Sequence, residues 1–143
     1  MNSRRNWRGD DDAPTLAKNA AVIGGGLAGL QSARALLARG GFASVTVYER
    51  ETGVGGVWRS NYVGYGAQVT RTQYHLPELD PAALDWYPDG LQLAKHAQDY
   101  AEAHLLREHG CSLLLATEVT AVCQIANGRW RVSCRPCQQA SAS

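Results

Sequence analysis

This sequence of 143 residues lacks a long apolar run and an excess of charge of one sign, and we expect no secretory signal in it. No run approaches the roughly 20 consecutive apolar residues that a bilayer-spanning helix requires, so we predict no transmembrane segment. The formal net charge is +1, which gives no electrostatic argument for a nucleic-acid partner or an anionic membrane surface. The N-terminal arginines are not followed by an apolar core, as a signal peptide would require. We therefore predict a soluble, cytoplasmic protein.

Cysteine is scarce, and all of it comes late in the chain. The four cysteines are Cys111, Cys123, Cys134 and Cys137, too few and too late for a disulfide framework. Cys134 and Cys137 form one C-x-x-C pair, but a zinc site needs a second pair of ligands at a suitable spacing, and none is visible. We predict no metal site.

Composition and length set the domain organisation. A hydrophobic content of 45% and a charged content of 19% are those of a globular protein, and 143 residues are enough for one domain with a core. Residues 1–17 are polar and charged, which predicts a disordered lead-in. Residues 18–134 are predicted to form the domain, and residues 135–143 a polar tail without fixed structure.

A glycine-rich stretch follows the first apolar run. Residues 20–23 are apolar and lead into Gly24, Gly26 and Gly29, which have the spacing G-x-G-x-x-G. A helical pattern follows, and then a β-branched run at residues 45–48 that ends at Glu49. This order of strand, tight turn, helix and strand is typical of a dinucleotide-binding unit. The alternative is a purely structural glycine-rich turn.

Each part of this unit has a mechanical reason. Gly24 allows the sharp turn, Gly26 allows a pyrophosphate to approach the backbone, and Gly29 allows the helix to pack on the strand. The helix N-terminus offers N–H groups and a positive dipole end to phosphates. Glu49 lies 20 residues beyond Gly29, where an acidic side chain can accept a hydrogen bond from a ribose hydroxyl. An acidic residue here favours FAD or NAD over NADP.

The residues after Glu49 separate these two cofactors. The string ERETGVGGVW, preceded by VIGGGLAGL, resembles the N-terminal FAD-binding segment of flavin-dependent monooxygenases, the group that includes flavin-containing and Baeyer–Villiger monooxygenases. The stretch GYGAQVT at residues 64–70 is also similar, and the resemblance covers roughly residues 18–133. It implies an α/β fold, with a Rossmann-like βαβ unit and an appended antiparallel β-hairpin or meander, as an incomplete domain.

The resemblance also implies a set of cofactor-binding positions and an activity. The FAD-binding residues that it implies are Gly24, Gly26, Leu27, Ala28, Gly29, Glu49, Arg50, Gly56, Val57, Trp58, Gln68 and Thr70. In the family, NADPH and O2 are used to oxygenate a small organic substrate. This sequence has no second G-x-G-x-x-G for NADPH, so we expect a truncated chain that lacks the NADPH site. No catalytic residue is predicted in it.

Other functions remain open at this point. Amine oxidases share the first unit but place an arginine after the Gly-Gly pair, where this sequence has Val57 and Trp58. Disulfide reductases place a cysteine pair soon after the unit, whereas residues 50–110 contain no cysteine. An NAD-dependent dehydrogenase fits less well because of the Gly-Gly loop. A non-catalytic, cofactor-binding fragment is the remaining alternative.

The second half of the sequence predicts an irregular segment, a helix and a hairpin. Residues 61–87 are aromatic-rich and lack periodicity. A helix from about Leu91 to His109 is predicted, with Asp89 as its N-cap and Gly110 ending it. His104 is expected at the edge of the core, whereas His96 and His109 are expected in solvent. A strand at 113–115 and a hairpin of 119–125 with 130–134, turning at Asn127-Gly128, complete the chain.

Overall fold

The structure, a computed structural model, describes residues 18–62 and 64–137, so the predictions for residues 1–17 and 138–143 lie outside the described residues. The helices and strands in chain order are β1 Lys18–Ile23, α1 Leu27–Arg39, β2 Phe42–Tyr48, α2 Val57–Ser60, α3 Gly90–His104, β3 Cys111–Leu114, β4 Thr117–Gln124 and β5 Trp130–Pro136. In the part that is described, no helix combines the length and the apolar character needed to cross a membrane.

A parallel sheet and two helices form the centre of the fold. The sheet has three strands in the order β1-β2-β3, and all of its pairs are parallel. Val45 and Val47 alternate along β2 and are fully buried, because α1 and α3 contribute Leu30 and Tyr100 to the same core. Ile23, which points to the other sheet face, is 56% exposed. The predicted α/β fold is confirmed.

The C-terminal strands form the predicted antiparallel hairpin. β4 pairs with β5 in a separate two-stranded sheet, with a bulge between Val119 and Ala121. Asn127 adopts a left-handed conformation with φ 62° in the turn. One boundary needs correction, because β5 includes Arg135 and Pro136, which were assigned to an unstructured tail. These residues are ordered because Arg135 and Pro136 pair with Glu118 and Thr117 of β4.

Helix α3 begins as predicted but ends earlier. Asp89 forms a capping box, in which its carboxylate accepts from the Gln92 N–H at 2.7 Å and Gln92 bonds back to the Asp89 backbone. The helix ends at His104 rather than at His109, since Leu105 turns into the core and is fully buried. Gly110 therefore does not cap the helix. It accepts a hydrogen bond from the Val45 N–H at 2.7 Å and leads into β3, which begins at Cys111 rather than Leu113.

The irregular segment, residues 61–87, is held against α1 and α3 by hydrogen bonds and an ion pair. The Leu76 N–H donates to Nε2 of His96 at 3.0 Å. Glu78 forms an ion pair with Arg34 of α1 at 3.0 Å, and the same carboxylate lies 3.1 Å from Nδ1 of His104 of α3. The expectation that His96 lies in solvent is wrong: its side chain is 3% exposed, because Leu76 and its neighbours cover it.

The hydrogen bond to His96 predicts a pH dependence of stability. Nε2 must be unprotonated to accept from the Leu76 N–H, and burial lowers the pKa of His96 from its usual 6.5. The nearby His75 also lowers this pKa, whereas Asp99 on the same helix raises it. Because the folded-state pKa lies below the unfolded one, the stabilisation is fully present above pH 6.5 and is lost as the pH falls from there through the folded-state pKa.

We expect the urea midpoint of the protein to fall between pH 7 and pH 5, and we expect His96→Gln to show a smaller fall. The glutamine carbonyl can still accept from the Leu76 N–H but does not titrate in this range. His109→Gln is the matched control, because His109 is exposed. An unchanged pH dependence in His96→Gln would show that this hydrogen bond is not the pH-sensitive contact.

Candidate functional site

The candidate site is a cleft at the carboxyl ends of β1 and β2, the edge where open α/β sheets bind ligands. Its volume is about 340 Å³. Its walls are formed by Ile23, Gly24, Gly26, Tyr48, Glu49, Arg50, Glu51, Gly56, Val57, Thr117, Glu118 and Val119. Three parts of the chain therefore meet here: the first glycine turn, the segment after β2 and the start of β4.

The first glycine turn requires glycine at Gly24 and Gly29 for two different reasons. Gly24 has φ +100°, a conformation that glycine adopts readily and other residues rarely do. Its N–H donates to the Tyr48 carbonyl at 2.8 Å. A Cβ at Gly29 would overlap the carbonyl oxygen of Gly24. The third glycine of the motif is therefore required by close packing of α1 on the turn.

The Gly-Gly pair after β2 docks onto this first turn. The Gly55 N–H donates to the Gly25 carbonyl at 2.9 Å. A Cβ at Gly56 would lie 3.1 Å from the Cα of Gly26, and Gly56 has φ +58° and ψ −133°, which suit glycine alone. Two glycine-rich loops about 30 residues apart in sequence thus form one continuous backbone surface in the cleft.

Glu49 joins the first glycine turn to the end of β2. One carboxylate oxygen accepts from the Gly25 N–H at 2.6 Å and the other from the Glu51 N–H at 2.8 Å. The residue is 5% exposed, so these bonds form in a partly dehydrated environment. Each carboxylate oxygen has a second lone pair and can accept one further hydrogen bond. Sequence reasoning missed this clamp on the first glycine turn.

The cleft brings together the start of a helix and several carboxylate-bearing residues. Helix α1 begins at Leu27, directly after Gly26, which has no side chain to cap the helix. The backbone N–H groups of the first helical turn and the positive end of the helix dipole therefore lie at the glycine turn. The carboxylates of Glu49, Glu51 and Glu118 belong to residues that line the same cleft, and that of Glu49 accepts a hydrogen bond from the glycine turn itself. Arg50 is exposed and pairs with Glu51 at 3.5 Å, an arrangement that contributes little to stability.

The structure brings half of the twelve sequence-implied positions into the cleft. These are Gly24, Gly26, Glu49, Arg50, Gly56 and Val57. Leu27, Ala28 and Gly29 form the first turn of α1 directly behind the glycine loop. Trp58, Gln68 and Thr70 do not line the cleft.

These last three residues have other surroundings. Trp58 stacks on Tyr65 with ring centroids 5.0 Å apart and contacts the edge of Tyr74 at the same distance. Gln68 is exposed, and the Thr70 hydroxyl lies 2.8 Å from that of Thr72. Trp58 thus anchors α2 to the irregular segment. Because none of the three residues lines the cleft, their contact with a flavin stays a prediction.

Sequence reasoning missed six residues of the cleft wall, namely Ile23, Tyr48, Glu51, Thr117, Glu118 and Val119. The positions of Ile23 and Tyr48 at the carboxyl ends of parallel strands could have indicated the first two. The β4 residues give no local signal, because they reach the cleft through the bond from the Thr117 N–H to the Glu49 carbonyl at 2.8 Å. Within residues 18–62 and 64–137, no group of three or more metal-ligating side chains occurs.

Comparisons with known proteins agree with this geometry. Residues 22–79 match the NAD(P)-binding Rossmann-like domain. The chain is 31% identical over 145 aligned residues to "Flavin-containing monooxygenase FMO GS-OX3" of Arabidopsis thaliana, an alignment that covers 81% of this chain and 30% of that protein.

Solved structures give a similar picture. One described as "Oxidized steroid monooxygenase bound to NADP" superposes with a TM-score of 0.69 at 25% identity, covering 83% of this chain and 23% of that one. OTEMO in complex with FAD and NADP gives a TM-score of 0.66 at 26% identity, covering 82% and 22%. The chain therefore spans less than a third of the length of these relatives.

Proposed function

We propose that the cleft binds the ADP half of FAD. The sequence and fold of the chain match the N-terminal part of flavin-dependent monooxygenases. The observation that carries this proposal is the docking of the two glycine loops beside a buried glutamate. Gly26 and Gly56 pack against each other in the cleft wall, and Glu49 holds the first loop in place. The OTEMO structure, which contains FAD and NADP, shares this fold over 82% of the chain.

The residues present fit this group. Gly24 lines the cleft, and a Cβ built on it meets no atom within 4 Å, so the space beside the turn is open. The volume of about 340 Å³ lies at the lower end of the range for small-molecule sites. That size suits a nucleotide rather than a whole dinucleotide. The flavin half would then extend out of the cleft, toward the positions predicted at Gln68 and Thr70.

Each part of the cleft has a defined role in this proposal. The backbone N–H groups at the start of α1, from Leu27, Ala28 and Gly29, would hold the pyrophosphate, helped by the positive end of the helix. Glu49 would accept from a ribose hydroxyl with the lone pairs that its backbone contacts leave available. Gly56, Val57 and Arg50 would form further parts of the wall around the nucleotide.

The activity of the whole protein is also a proposal. FAD supplies the redox and oxygen chemistry when it is bound, and the protein supplies position and exclusion of water. By similarity to its relatives, we propose that this segment serves an NADPH- and O2-dependent monooxygenase acting on a small organic substrate. The cytoplasmic location stays a prediction from the sequence.

Flavin retention by Gly26→Ala tests the proposed cleft. A Cβ at Gly26 lies 3.7 Å from the Gly56 Cα, an ordinary contact, so we expect the variant to fold. The added methyl would project where the pyrophosphate must approach the backbone, so we expect at least tenfold weaker FAD binding. The measurement is the visible absorption of each protein after incubation with FAD and removal of excess ligand.

Gly66→Ala is the control for this experiment. A Cβ at Gly66 also makes only ordinary contacts, with Asp89 and Pro88, and Gly66 is not part of the cleft wall. We expect it to retain flavin as the unmodified protein does. Equal retention by Gly26→Ala and Gly66→Ala would refute the placement of FAD in this cleft.

A further inference from the structure

The start of β4 is the wall of the cleft that the proposed function leaves without a role. Thr117, Glu118 and Val119 line the cleft beside Glu49, and the Thr117 N–H donates to the Glu49 carbonyl oxygen at 2.8 Å. Glu118 therefore follows directly after a residue that is bonded to the one proposed to hold the ribose. It contributes a charged hydrogen-bond acceptor to the cleft.

Arg135 orients this carboxylate from the neighbouring strand. Glu118 and Arg135 are cross-strand partners, and both Nε and Nη2 of Arg135 lie 2.7 Å from Oε2 of Glu118. The Glu118 side chain is 35% exposed and that of Arg135 is 69% exposed, so the carboxylate is the more enclosed member of the pair. Two short, charge-assisted contacts to one oxygen restrict the rotamer of the glutamate.

The proposed placement of the phosphates and the ribose indicates which part of a nucleotide would reach Glu118. If the phosphates lie at the glycine loops and the ribose at Glu49, the base attached to that ribose extends away from the phosphates, toward Thr117–Val119. A carboxylate accepts hydrogen bonds and donates none. Adenine presents an amino donor at its N6 position, whereas hypoxanthine presents a carbonyl oxygen there, which a carboxylate repels.

We propose that Glu118, oriented by Arg135, accepts a hydrogen bond from the amino group of adenine and selects adenine nucleotides over hypoxanthine nucleotides. This inference rests on the proposed function of the cleft. Glu118 is a specificity-determining residue in this account, and Arg135 is a positioning residue. A hydrogen bond to a charged group at a partly exposed site predicts a preference of roughly tenfold for ADP over IDP.

The test is calorimetric titration of the full chain with ADP and with IDP. We expect Glu118→Gln to reduce the ADP-to-IDP ratio to about one, because an amide can present either its oxygen or its NH2 group to the base. Arg135→Leu should lower the ratio part of the way, since it removes the orienting contacts but keeps the carboxylate. A change in stability alone would alter both affinities together and leave the ratio unchanged.

Matched controls separate this role from a general effect of charge. Arg131→Leu removes an exposed arginine from the same face of β5, where its cross-strand partner is Cys123, and should keep the ratio of the unmodified protein. Glu102→Gln removes an exposed carboxylate on α3 and should also keep the ADP-to-IDP ratio of the unmodified protein. Circular dichroism establishes that each variant is folded.

The possible results are distinguishable. A tenfold preference for ADP that Glu118→Gln abolishes supports the inference. Binding of ADP and IDP with equal affinity, or a preference that survives Glu118→Gln, overturns it and leaves the proposed nucleotide site intact. No binding of ADP, IDP or FAD by the folded chain overturns the inference together with the proposed function.

Discussion

Replacing Gly29 by alanine is expected to destabilise the fold by on the order of 3 kcal/mol. The added Cβ would overlap the carbonyl oxygen of Gly24, a backbone atom that cannot move without displacing the turn. Helix propensity alone predicts the opposite sign, because alanine stabilises a helix interior by about 1 kcal/mol relative to glycine. The steric overlap and the helix propensity therefore predict changes in the free energy of unfolding that differ in sign as well as in size.

Urea denaturation of Gly29→Ala, followed by circular dichroism, measures this effect. Gly66→Ala is a suitable control, since a Cβ there contacts its neighbours at 3.6 Å, an ordinary distance, and its midpoint should change little. A Gly29→Ala protein as stable as the unmodified one would show that α1 can shift on β1. In that case, the tight strand–helix packing would not be a requirement of the motif.

Replacing Glu49 by alanine is expected to cost roughly 3 kcal/mol of folding free energy, because it leaves two backbone N–H groups without their acceptor. Those groups belong to Gly25 and Glu51, and they bond to different oxygens of the one carboxylate. Glu49→Gln should cost about half as much, since an amide has one oxygen and would direct its NH2 group at the other N–H. Both variants should also bind ADP at least tenfold more weakly.

Glu51→Gln provides the control for these variants. Glu51 lines the same cleft, but its side-chain pairing is with the exposed Arg50, so its replacement should change the unfolding free energy by less than about 0.5 kcal/mol. The denaturation midpoint of each protein at pH 7 gives the comparison. If Glu49→Gln unfolds at the same urea concentration as Glu51→Gln, the carboxylate does not hold the glycine turn.

The sequence was informative where the determinants of structure are local. The glycine spacing and the β-branched run at residues 45–48 predicted the βαβ unit, because each depends on residues within a few positions of one another. Asp89 is another such case, since its capping partner Gln92 lies three residues away. The hairpin was also predictable from the Asn127-Gly128 turn, which gives the left-handed conformation that the connection needs.

The features that escaped prediction depend on partners distant in sequence. His96 was assigned to solvent because the segment that buries it, around Leu76, lies 20 residues earlier and has no periodic pattern. The end of α3 was misplaced because residues 105–109 are compatible with a helix, and burial of Leu105 decides otherwise. The β4 wall of the cleft depends on strand β4 meeting the end of β2, which no local pattern records.

Titration of the chain with FAD and with FMN tests the central claim most directly. FAD and FMN carry the same flavin ring, but only FAD carries the adenosine part for which the cleft is proposed. The account predicts that FAD binds, that ADP displaces it, and that FMN binds at least tenfold more weakly. Binding of FMN as tight as that of FAD, or failure of ADP to displace bound FAD, would contradict the assignment of this cleft to the ADP half.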